Sequence, residues 1–114
     1  MTFDADMRRS FLAEGLVRLP GVIPRQHAAA MADRLWAHMT ARDGIVPEKP
    51  QTWTKERPGQ FGDLKRAGAF DAVASPAMVA VLDAFFGEPG WLRPSHWGQP
   101  LVAFPRSGRW VGGR

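Results

Sequence analysis

The sequence predicts an α+β fold, a helical N-terminal layer followed by the start of a sheet. Three observations predict it. Apolar residues recur at helical spacing before Gly15 and again before Gly44. A Ser75-Pro76 start and a Gly87 stop bracket a further apolar helix. Last, Trp97–Phe104 reads as a strand.

Taken in order, Thr2 is placed to cap the first helix, with Asp4 and Asp6 in its first turn near the positive dipole end. Phe3, Met7 and Phe11 repeat every four residues, and Gly15 is a natural stop. Leu16-Val17-Arg18-Leu19 reads as a short strand, closed by a Pro20-Gly21 turn. The second helix opens near Pro24, and Ala28, Met31, Ala32, Leu35, Trp36 and Met39 form its apolar stripe. Residues 45–62, IVPEKPQTWTKERPGQFG, form a long loop in which Trp53 and Phe61 need something to pack on. A short helix is expected over Leu64–Val73. In the last helix Met78, Val81, Leu82, Phe85 and Phe86 make the apolar face. Pro100 inside Trp97–Phe104 lacks an N–H, which makes that strand an edge strand or one that starts late.

At 114 residues the chain has the length of one domain at most. No apolar run is long enough to cross a membrane, and the acids near the N-terminus do not suit a signal peptide, so a cytoplasmic protein is expected. There is no cysteine, which excludes disulfides, thiolate zinc and a cysteine nucleophile. The net charge of +4 comes from twelve Arg and three Lys against eleven acids. The arginines are scattered, as biased composition would scatter them, so they do not make a nucleic-acid arm. Base stacking on the five tryptophans is the weaker reading, because Trp36 lies on an apolar stripe and Trp53, Trp91 and Trp97 sit where packing under loops is usual.

Local catalytic signatures are missing. His27 and His38 are eleven residues apart on one helix, about 16 Å of rise, too far for one metal. No His-x-Asp, His-x-Glu or HExxH occurs, no serine lies in a Gly-x-Ser-x-Gly elbow, and no phosphate loop is present.

The order of landmarks carries more. FLAEGLVRLPGVIPRQHAAAMADRLW, with Phe11, Gly15, Leu16, Val17, Leu19, Gly21, Val22, Leu35 and Trp36, resembles the N-terminal segment of the phytanoyl-CoA dioxygenase family. Trp53 in its proline-rich loop, Phe70 before Ser75, Phe86-Gly87 and the stretch His96-Trp97-Gly98-Gln99-Pro100-Leu101-Val102 continue the resemblance over nearly the whole chain.

That resemblance implies a non-haem Fe(II), 2-oxoglutarate-dependent oxygenase built on a double-stranded β-helix, or jelly roll. Residues 1–114 would then be a single partial domain, helices packed on the first strands of an incomplete jelly roll. It also implies that Gln99, on the first core strand, faces the 2-oxoglutarate co-substrate. The alternative is a strand glutamine bonded to a nearby loop. The family's His-x-Asp, distal His and 2-oxoglutarate-gripping basic residue are absent from this sequence. The chain alone is therefore expected to bind neither Fe(II) nor 2-oxoglutarate productively and to have no catalytic or metal-ligating residue. Its expected partner is a small-molecule substrate once completed, with no nucleic acid and no membrane. The second reading is a non-catalytic interaction module whose open sheet edge pairs with a partner chain or with a second copy.

Overall fold

The computed structural model describes residues 3–87 and 90–105. Four α-helices hold it together: α1 (Ala5–Glu14), α2 (Arg25–Asp43), α3 (Gly62–Arg66) and α4 (Pro76–Phe86). Two short 3-10 turns, Pro50–Thr52 and Asp71–Val73, lie in the connections.

The helix ends follow local chemistry. Asp4 accepts a hydrogen bond from the Met7 N–H and is the N-cap of α1. The expected cap, Thr2, lies outside the described residues. Gly15 and Gly44 close α1 and α2 in the left-handed conformation, at φ 78° and 68°, where a side chain would be strained. Ser75 caps α4 by accepting from the Met78 N–H, and Pro76 fills the first helical position. The Ser75 hydroxyl also donates to the Val22 carbonyl, tying α4 to the chain ahead of α2. The expected Leu64–Val73 helix is instead α3, a run of turns and the Asp71–Val73 turn.

The sheet expectation is corrected. Among the described residues no strand is formed, and the one bridge is an isolated antiparallel pair, Val46 with Lys49. The α+β and jelly-roll fold expected for the chain is therefore not what these residues build; they build a helical layer with long loops. Leu16–Leu19 alternates because Val17 and Leu19 pack against the cluster of Phe3, Val22 and Val81, with no neighbouring strand. Trp97–Phe104 alternates for a similar reason. Val102 and Phe104 turn into a core cluster while Gln99 and Leu101 are exposed. Alternation by two reports which side is covered. It does not report whether a second strand does the covering.

Two clusters make the core. In the first, Phe3, Val22 and Val81 are buried, with Met7, Val17, Leu19, Met78 and Phe85 around them. Phe85 takes Phe3 and Phe11 edge-on at 5.4 and 4.9 Å. Arg8 fixes the α1–α4 approach by donating to the Ala84 carbonyl at 2.7 Å, at the end of α4 where backbone acceptors lack helical partners. In the second cluster Met39, Ile45, Phe61 and Phe104 are buried, with Leu35, Trp36, Trp53, Leu64 and Val102 against them. Trp53 stacks on Phe104 at 4.9 Å and Trp36 lies 6.0 Å from it. The Trp53 indole N–H donates to the Val46 carbonyl at 3.0 Å, so the ring is oriented as well as buried. The α2 stripe is covered only toward its C-terminal end: Met39 is buried, whereas Ala28 and Ala32 are exposed.

Phe104 is therefore predicted to be a main support of the second cluster. Phe104→Ala should cost about 3 kcal/mol in a denaturant titration, the usual loss for a buried phenylalanine. Leu101→Ala, at a side chain 92% exposed, should stay within about 0.5 kcal/mol of the parent.

Candidate functional site

The site is an open groove of about 960 Å³ between two loop segments. One wall is residues 57–62, continued by Lys65 of α3. The other is residues 98–103. Apart from Gly62 and Lys65 of α3, both walls come from parts of the chain without regular structure, and both are held by the second core cluster. Phe61 is buried at the end of the first wall, and Val102 and Phe104 anchor the second. The Phe104 N–H donates to the Glu56 carbonyl at 2.8 Å, and this bond joins the two walls at one end.

Gln99 lies on the second wall, exposed. Arg57 and Lys65 line the groove as well, and among the described residues none that lines it is acidic. Pro58, Phe61, Pro100 and Leu101 supply apolar surface. Such a lining suits a ligand with an anionic group and an apolar body.

The second wall is positioned from outside the groove by Asp71. One carboxylate oxygen accepts from the Trp97 N–H at 2.9 Å, and the other lies 3.2 Å from His96 Nδ1. The Trp97 N–H holds the Asp71 carboxyl below its ordinary value of 3.8; partial burial opposes this, and the His96 hydrogen bond and charge add to the lowering. Gly98 follows at once with φ 87°, and a Cβ there would fall 2.4 Å from Phe70 Cβ. The chain thus enters the groove wall through a position that only glycine fits. On the facing wall Gln60 also has a left-handed backbone, φ 61°, unusual for a residue with a side chain.

The other histidines have structural surroundings. His27 is exposed on α2, and His38 lies with its ring 5.2 Å from Phe61. Among the described residues no three His, Asp or Glu side chains come together as a metal ion would need. The residues described do not fit a two-histidine, one-carboxylate iron site. No described helix is long and apolar enough to cross a membrane.

The resemblance singles out Gln99, which the structure places exposed on the groove wall, and gives no hint of the groove's other residues. Lys65, Arg57 and the Asp71–His96 pair carry no local motif, and Asp71 is 25 residues from His96. One signal was available: an isolated glycine inside a strand-like pattern marks a close backbone approach, and Gly98 is one. No family model, curated protein or solved structure matches this chain.

The Asp71 clasp makes a pH prediction. A carboxylate with a depressed folded-state value contributes stability that is complete above its unfolded value and lost as pH falls through the folded one. The Trp97 amide signal should therefore titrate with a midpoint below 3.8, and Asp71→Ala should abolish that titration. A midpoint above 3.8 would contradict the clasp.

Proposed function

We propose that this chain is the N-terminal part of a phytanoyl-CoA dioxygenase-like, Fe(II)- and 2-oxoglutarate-dependent oxygenase, and that its groove forms one wall of the co-substrate site. The observation that carries the reading is the position of Gln99. The family resemblance gives this residue to 2-oxoglutarate, and it lines a groove with Arg57 and Lys65 and, among the described residues, no acidic one. Two cations and an amide suit a dicarboxylate: the charges attract it, and the amide can donate to one oxygen and accept from a neighbouring group.

The division of labour follows. This segment orients and partly shields the co-substrate, with Asp71, His96 and Gly98 holding the wall that carries Gln99. Iron, when bound in the complete enzyme, supplies oxygen activation, and its ligands lie outside these 114 residues. The 114-residue chain by itself is non-catalytic. The reaction assigned to the whole enzyme is hydroxylation of an organic substrate coupled to oxidative decarboxylation of 2-oxoglutarate.

Two measurements test this. The coding sequence after codon 114 should contain a His-x-Asp motif and a later His within one domain length; their absence would overturn the oxygenase reading. In the isolated chain, 2-oxoglutarate should perturb the Gln99 and Lys65 signals with a Kd on the order of 1 mM, weakened several-fold by Gln99→Ala. Succinate produced by the isolated chain with Fe(II) would refute the non-catalytic assignment.

A further inference from the structure

The first groove wall reads Pro58-Gly59-Gln60-Phe61-Gly62, and Gln60 within it has φ 61°. Glycine takes that left-handed conformation freely, whereas a residue with a side chain is held there at a cost. Among the described residues every other position with positive φ is a glycine. Gly59 and Gly62 lie close by on the same wall, and neither is left-handed. The wall thus sets glycine beside the turn and glutamine in it, the reverse of what the backbone alone favours. The carboxamide of Gln60 is the feature that glycine would lack, and it belongs to a groove lining. Backbone strain of this kind gathers where a side chain has a ligand to meet.

The groove has one carboxamide on each wall, Gln60 on the first and Gln99 on the second, with Lys65 of α3 beside the first. A carboxamide N–H donates to a carboxylate oxygen, and a bond to a charged acceptor is stronger than a neutral one. Lys65 adds positive charge. Pro58, Pro100 and Leu101 offer apolar surface to the methylene groups between two acid ends. We propose that Gln60 is a ligand-binding residue, and that a short dicarboxylate bridges the groove with one carboxylate on Gln60 and the other on Gln99. The inference rests on the co-substrate reading and adds the residue that receives the second end of the diacid. Selection follows from reach: a diacid engages both walls, and a monoacid only one.

The test is side-chain amide NMR of the 114-residue chain titrated with 2-oxoglutarate. The carboxamide signals of Gln60 and Gln99 should move together along one binding curve. Butyrate, with a single carboxylate, should bind about tenfold more weakly, the loss expected for one hydrogen bond to a charged group. Gln60→Ala should weaken 2-oxoglutarate by a similar factor and leave the urea midpoint of unfolding near that of the parent. Gln60→Gly, which frees the left-handed backbone, should unfold at no lower urea than Gln60→Ala. A clear drop in the midpoint of Gln60→Ala would assign the side chain to holding the loop and overturn the proposal, and a midpoint lower still in Gln60→Gly would remove the strain on which it stands. Butyrate binding as tightly as the diacid would overturn the bridge. A Gln60 signal that stays in place while Gln99 responds, or undiminished binding by Gln60→Ala, would overturn the proposal and leave the co-substrate reading intact. If 2-oxoglutarate moves neither signal, that reading falls and this inference falls with it.

Discussion

The groove depends on the burial of Phe104 against Trp53 and Trp36. Trp53 stacks on it at 4.9 Å, Trp36 lies 6.0 Å away, and the two indoles are 6.2 Å from each other, so the three rings pack as one group. That anchor matters because the stretch makes no ladder: residues 98–103 are held at their ends, by Val102 and Phe104 in the core and by the Asp71 bond to the Trp97 N–H. A large aromatic is suited to this task, since one side chain buries a large apolar area, and together with the rest of its cluster it offsets the entropy of ordering the loops. Its backbone N–H, donating to Glu56, then sets the register of one wall against the other.

The two apolar clusters divide the labour. The cluster around Val81 joins α1 to α4 and needs no groove residue. The cluster around Met39 and Ile45 supports the groove and takes its residues from α2, the long loop, α3 and the 98–104 stretch. The groove is thus built on loops, while the rigid helices stand behind it. Two backbone conformations set its walls, the left-handed Gln60 and the Gly98 turn pressed on Phe70. Backbone held in unusual conformations at a groove is a common accompaniment of binding surfaces.

What the sequence made legible is local. Gly15, Gly44, Ser75-Pro76 and Gly87 mark helix ends because a cap or a left-handed turn is decided within a few residues. Asp4 was legible as an acid suited to the dipole, but its role as the cap required knowing where the first turn begins. The two strand expectations failed for one reason. Alternation in Leu16–Leu19 and Trp97–Phe104 follows from packing on one side, whereas a ladder needs a partner far along the chain. The α2 stripe shows a similar limit: periodicity picked out Ala28 and Ala32, and nothing described covers them. Within the site, Lys65 lines the groove and Asp71 holds its second wall only through the fold, because neither carries a local sequence signal.

The most direct test of this account is amide hydrogen exchange along residues 98–105 of the free protein. An anchored but unladdered wall predicts strong protection at Phe104 alone, with Leu101, Val102 and Ala103 exchanging at nearly unprotected rates. Uniform protection from Leu101 to Phe104 would mean that the wall is already paired as a strand, and would contradict an unladdered wall held by its Phe104 end.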